Sequence, residues 1–209
     1  TGLQQLNAVV GSSFAGRSLA ALTGLGGPLL TIAGLAWGIF SAQKIGAVAL
    51  ATLREYARTP AELQRILDLP GAFAETVHSS VISKLEREPV EDFRIDFEDG
   101  YGNRPDTEED GHATAAAEQV ARAFQEGVLP TGIGLRIKPL NEELRGRAIR
   151  TLDIFLTTLL DRTGGVLPAE FIITLPKITV PEQVPFLVGV LERMEQALGL
   201  DDGVLGFEL

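Results

Sequence analysis

The sequence contains no cysteine. That excludes a disulfide framework, a thiolate zinc site and a cysteine nucleophile. Histidine is nearly as scarce. His78 and His112 are the only two in the chain and are far apart in sequence, so no histidine cluster for zinc can be read. Positive charge is also in short supply. Eighteen Lys and Arg against 28 Asp and Glu leave a net charge of −10, which argues against nucleic acid as the main partner, because phosphate binding needs a basic surface. The glycines at Gly24, Gly26 and Gly27 form neither G-x-G-x-x-G nor G-x-x-x-x-G-K-[ST], and there is no G-x-S-x-G elbow. What is present is a chain of 209 residues, 45% hydrophobic and 22% charged. That is the composition of a packed globular protein, large enough for one sizeable domain.

Charge is unevenly spread. Residues 1–60 carry Arg17, Lys44, Arg54 and Arg58 against Glu55 alone, a balance of +3, while the rest of the chain carries −13. The 26 residues between Arg17 and Lys44 have no formal charge. Residues 19–40 are long enough to cross a bilayer, which takes about 20 apolar residues in a helix. Gly24, Gly26, Gly27 and Pro28 interrupt a helix there. No basic start and no small-residue cleavage site mark a signal peptide. Leu29–Ala36 is therefore read as a buried strand after a glycine-rich turn, since interior strands of α/β proteins also form continuous apolar runs. The expected protein is cytoplasmic, with a membrane anchor at 19–40 as the alternative. Residues 1–40 form an atypical apolar segment holding the first strand, and 41–209 form the remainder.

From Ser41 onward helix and strand alternate. Ser41 can cap a helix with Ile45, Val48, Ala49, Leu53 and Tyr56 on its apolar face. Thr59-Pro60-Ala61-Glu62 reads as a capping box with proline at the first helical position. Further helices are read over about Ala72–Arg87, from Thr107, from Asn141 to about Leu160, and from Pro181. Strands begin near 93, 132, 170 and 204, with one helix in each interval. Such βα units imply a parallel sheet with right-handed crossovers. With Leu29–Ala36 the strands number about five. Strand count favours a doubly wound sheet. The placement of charges favours an incomplete (β/α)₈ barrel.

Both folds put their active site at the C-terminal strand ends, and three strands here end in charge. Alternation puts Arg94, Asp96 and Glu98 on one face of the first. The acids Asp96, Glu98 and Asp99 suit a hard cation such as Mg²⁺, which prefers oxygen ligands. In the next strand Arg136 shares a face with Lys138, and a guanidinium there can grip a carboxylate through two hydrogen bonds or pair with Asp96 or Glu98. Lys177 follows the third strand. His78 and His112 read as structural or surface residues, with His112 on an exposed part of its helix.

The runs Arg94-Ile-Asp-Phe-Glu-Asp-Gly, Gly134-Leu-Arg-Ile-Lys-Pro and Thr174-Leu-Pro-Lys-Ile, in this order, resemble the aldolase and citrate lyase beta-subunit family, also called HpcH/HpaI. The run from Glu88 to Asp106 and the run from Arg150 to Leu160 resemble an uncharacterised bacterial branch of it. The resemblance extends from about Phe40 to Leu209. It implies a phosphoenolpyruvate/pyruvate-type (β/α)₈ barrel, usually oligomeric, that makes or breaks carbon–carbon bonds in 2-oxo acids or acyl-thioesters with Mg²⁺ stabilising an enolate. By the same resemblance Arg136 binds the oxo-acid carboxylate, while Glu98 and Asp99 lie near the metal and act through water. Lys138 and Lys177 are further substrate-binding candidates. The principal metal ligands of the family fall beyond Leu209, so the expected site is partial, with weak Mg²⁺ binding and little lyase activity. Two alternatives stand beside this lyase reading: a non-catalytic α/β assembly module, and a membrane-tethered protein.

Overall fold

The computed structural model describes residues 44–209. The strand read at Leu29–Ala36, the Ser41 cap, the 1–40 segment and the anchor alternative at 19–40 lie outside the described residues. Helix α1 covers residues 44–56. It is followed by α2 (Pro60–Leu67), a 3₁₀ turn (Gly71–Phe73) and α3 (Ala74–Arg87). Then strands and helices alternate: β1 (Asp92–Asp96), α4 (Asp106–Gln125), β2 (Gly132–Arg136), α5 (Arg145–Thr163), β3 (Glu170–Thr174), α6 (Gln183–Leu198) and β4 (Gly206–Glu208).

The four strands form one sheet in the order β1-β2-β3-β4, parallel throughout. The βα reading holds, with strand starts within about two residues of those read from periodicity, while the helix read from Asn141 to about Leu160 covers Arg145–Thr163. Neighbours in chain order joined by right-handed crossovers place every crossover helix on the same face of the sheet. Burial agrees. Ile95, Phe97, Ile133, Leu135, Ile137, Phe171, Ile173 and Leu175 are buried in one core with α4, α5 and α6. The alternate positions Arg94, Asp96, Arg136, Ile172 and Thr174 are only partly covered.

Two helix faces explain the tight middle of this layer. α4 offers Ala113, Ala116, Ala117, Val120, Ala121 and Ala123, all buried. Small side chains let it close onto Ala148, Leu152, Phe155 and Leu159 of α5. Phe155 stacks on Phe171 of β3 with ring centroids 5.8 Å apart. Each fully buried Leu, Ile or Phe of this set contributes about 1.5–3 kcal/mol. α5 stops where Gly164 takes φ 70°, a left-handed conformation that glycine adopts without a Cβ clash.

The capping box forms as read: Glu62 N donates to Thr59 Oγ1 (3.3 Å), and Thr59 N donates to Glu62 Oε2 (2.9 Å). Elsewhere caps differ. α4 begins at Asp106 after Pro105 with no side-chain cap, and its first-turn acids Asp106, Glu108 and Glu109 favour the positive helix end. α6 begins at Gln183, two residues after Pro181, and Gln183 Oε1 accepts from Thr179 N (2.8 Å).

The apolar stripe of α1 needs correction. Ile45, Val48 and Tyr56 are exposed, as is Phe73. The buried contacts of α1–α3 run along other positions: Ala57, Leu63 and Ala74 are buried. A side chain at Gly46 would collide with Pro89, its Cβ only 2.6 Å from the proline's. His78, on α3, donates from Nε2 to Ala57 O at 2.9 Å. Periodicity locates a stripe but does not supply a neighbour to cover it.

Candidate functional site at the carboxyl edge of the sheet

The sequence Asp96-Phe-Glu-Asp-Gly ends β1 in a tight turn, because Asp96 folds its carboxylate back over the chain. Its Oδ1 accepts from Glu98 N (2.7 Å) and its Oδ2 from Gly100 N (3.0 Å). Gly100 has no room for a side chain: a Cβ would lie 2.6 Å from Asp96 Oδ2. Strand alternation stops here, so Asp96 organises the turn while Glu98 turns inward. The Glu98 side chain is only 4% exposed.

Glu98 is the centre of the cluster. Lys177 Nζ lies 2.6 Å from its Oε1, and Arg136 Nε lies 3.5 Å from its Oε2. Lys177 also donates to Asp99 Oδ1 at 2.6 Å. Asp99 is held below the usual carboxylate range, chiefly by that lysine. In return Lys177 is raised above the usual lysine range by its hydrogen bonds to Asp99 and then Glu98, so it stays an ammonium. Both cations remain accessible, with Arg136 43% and Lys177 54% exposed. Lys177 has φ 51°, one of two non-glycine residues with positive φ among the described residues.

Lys138 is placed differently. It is 5% exposed and donates to Phe97 O (2.8 Å) and Gly102 O (3.3 Å). Its Nζ sits 3.0 Å from Glu109 Oε2 and 4.9 Å from the centre of the Tyr101 ring. Glu109 is fully buried, accepting from Thr151 Oγ1 (2.6 Å) with Arg147 Nε at 3.4 Å. A charge buried this deeply is tolerated because it is paired and hydrogen-bonded. Lys138 thus ties the turn after β1 to the first turn of α4.

His112 also belongs to this cluster, and the exposed position read for it is wrong. It is buried, with Nδ1 2.8 Å from Tyr101 Oη. Burial, then the charge of Glu109, pushes the Tyr101 phenol up to about 12, so it stays protonated. The missed signal is position: His112 stands one residue before Ala113 on the alanine face. Nearby, Asp110 is pulled down to about 2 by Arg150 first and Arg147 second.

The partly covered sheet face carries a polar row. Strand register aligns Asp96, Arg136, Thr174 and Glu208. Glu208 Oε1 accepts from Thr174 Oγ1 (2.7 Å) and from Arg94 Nε (3.2 Å). Arg94 reaches across the same face from β1, at the opposite edge of the sheet, because Gly134 leaves it room: a Cβ there would stand 2.7 Å from Arg94 Nη1. Neither Arg94 nor Glu208 was singled out for this link by the sequence pattern.

Asp96, Glu98 and Asp99 do not by themselves fit Mg²⁺. One carboxylate is taken by backbone N–H groups and the other two by Lys177 and Arg136. Among the described residues no group of three or more His, Asp or Glu side chains is gathered to hold a metal ion. A cleft of about 280 Å³ opens beside the cluster, lined by Glu98, Asp99, Asn103, Lys138, Leu144 and Lys177. A larger groove of about 440 Å³ runs along α6 and β4, but its lining of Leu191, Leu205, Phe207, Glu192, Glu195 and Asp202 contains no cation. Of these two, chemistry favours the smaller cleft, where the accessible ammonium of Lys177 meets Glu98 and Asp99 at the strand ends; Arg136 stands on the other oxygen of Glu98, outside that lining.

The described chain is thus an α/β protein of parallel βα repeats with a charged carboxyl edge. The chain belongs to the family described as Domain of unknown function (DUF6986), whose model matches residues 32–209. No curated protein and no solved structure matches it. Among the described residues no helix is long and apolar enough to cross a membrane.

Proposed function

We propose that this protein acts on the carbon–carbon bond of a 2-oxo acid, as a lyase or aldolase of the (β/α)₈-barrel type. The observation that carries the reading is Arg136: a half-exposed guanidinium at the carboxyl end of β2, oriented by the buried carboxylate of Glu98. A guanidinium in that position grips a carboxylate through two parallel hydrogen bonds. The unreversed strand order supports a barrel over a doubly wound sheet, which needs a reversal of strand order. Breaking the C3–C4 bond of a 4-hydroxy-2-oxo acid releases C4 as a carbonyl once its hydroxyl loses a proton, and leaves the electron pair conjugated onto the 2-oxo oxygen as an enolate, a charge whose cost cations at the site lower. The Mg²⁺ that the resemblance implies enters no step here, because Asp96 is held by backbone N–H groups and Glu98 and Asp99 by Lys177 and Arg136.

Titrating pyruvate into the 209-residue chain by calorimetry tests the reading. Saturable binding is expected, weakened about tenfold in Arg136→Lys, which keeps the charge and loses the two-pronged grip. That loss corresponds to about 1.4 kcal/mol. The internal use of all three acids, Asp96 by backbone N–H groups and Glu98 and Asp99 by cations, favours a second reading, a non-catalytic module, and absence of pyruvate binding to the wild-type chain would decide for it.

A further inference from the structure

We infer that Lys177 is the residue that contacts the 2-oxo oxygen, while Arg136 holds the carboxylate of the same small molecule. This rests on the proposed function and assigns a second contact within that site. Three observations converge on Lys177. It shares the Glu98 carboxylate with Arg136, one cation at each oxygen, at 2.6 and 3.5 Å. Sharing one carboxylate keeps the two cations close, so an oxo acid on Lys177 at the edge of the cleft can reach Arg136, which stands just outside the cleft lining. Its ammonium lines the 280 Å³ cleft with more than half its side-chain surface accessible. Its backbone is held at φ 51°, a region costly for any residue with a Cβ. Strain of this kind persists where neighbouring structure enforces it, and it concentrates at ligand-binding positions.

The pairing also defines what Lys177 does there. An amine that forms an imine with a ketone must first lose its proton. Asp99 and Glu98 hold Lys177 protonated, so it serves as a fixed positive charge beside the oxo oxygen. The same two carboxylates keep the ammonium poised at the cleft mouth, where a substrate oxygen completes its third hydrogen bond. The ligand class is a planar, short 2-oxo carboxylate with adjacent carboxylate and carbonyl oxygens.

The probes are acetate, which offers a carboxylate alone, and oxalate, a planar mimic of the enolate with oxygens at both positions. Each is titrated with EDTA present into wild type, Lys177→Gly and Arg136→Met. Wild type should bind oxalate more tightly than acetate. Lys177→Gly should weaken oxalate at least tenfold and leave acetate unchanged. Arg136→Met should weaken both. Glycine accepts φ 51° without strain, which offsets part of what the buried Glu98 loses with its nearest cation, so Lys177→Gly should still melt cooperatively. Lys177→Asn, which tolerates the same conformation, repeats the test if the glycine variant misfolds. Undiminished oxalate affinity in Lys177→Gly, or a borohydride-trapped adduct of pyruvate on Lys177, overturns the assignment while leaving the Arg136 reading intact. Failure of wild type to bind acetate or oxalate overturns both.

Discussion

Lys138 and Arg136 stand two residues apart on one strand end, yet the protein uses them in opposite ways. Removing an ammonium from water costs several kcal/mol, and Lys138 recovers it through Glu109, two carbonyls and the face of Tyr101. Arg136 keeps much of its hydration and meets Glu98 at a longer distance. Truncation should separate them. Lys138→Met leaves the fully buried Glu109 with only Arg147 and Thr151, and is expected to cost about 3–5 kcal/mol in urea denaturation. Lys138→Met with Glu109→Gln removes both charges and should regain a substantial part of that loss. Arg136→Met should cost less than about 1 kcal/mol. A Lys138→Met midpoint equal to wild type would show that the buried pair contributes nothing.

Strand β2 shows how one element can be shaped by a side chain from another. Gly134 sits beneath Arg94 as that arginine crosses toward Glu208, and a Cβ there would be 2.1 Å from the carbonyl oxygen of Ile172 on β3. Backbone cannot give way as a side-chain tip can. Gly134→Ala is therefore expected to lower stability by about 1–3 kcal/mol through overpacking. Gly111, inside α4, has open space where a Cβ would go. Gly111→Ala should raise stability by about 0.5–1 kcal/mol, because alanine loses less backbone freedom in a helix. Thermal melts of the two variants should move in opposite directions. Equal shifts would contradict the assigned role of Gly134.

At the scale of the molecule, the described chain has two levels of burial. β2, β3, α4 and α5 share one core of fully covered side chains. α1–α3 bury few large residues and leave Ile45, Val48, Tyr56, Ile66, Leu67 and Phe73 exposed. Local opening costs least where little apolar surface is covered. Amide hydrogen exchange should thus be fastest over 44–87 and slowest in β2 and the middle of α5. Uniform protection across both regions would show that α1–α3 are covered in solution by something that holds them as firmly as the core.

The sequence by itself determined what is local. Apolar alternation places the four strands, alanine and valine spacing marks α4, and Thr59 with Glu62 marks the start of α2, because period and capping depend on residues within a turn or two. It also brought Glu98, Asp99, Arg136 and Lys177 to notice, since charge at the end of a buried strand is visible without a structure. Only the tertiary structure decided what each charge meets. Glu98 joins Arg136 and Lys177, Arg94 crosses to Glu208 at a separation of 114 residues, and His112 goes inward to Tyr101. Alternation sets which side of a sheet a residue leaves from. The depth it reaches and the partner it finds depend on loops and helices that pack from far along the chain, and the cost of desolvating a charge then selects which cations are buried and which remain at the cleft.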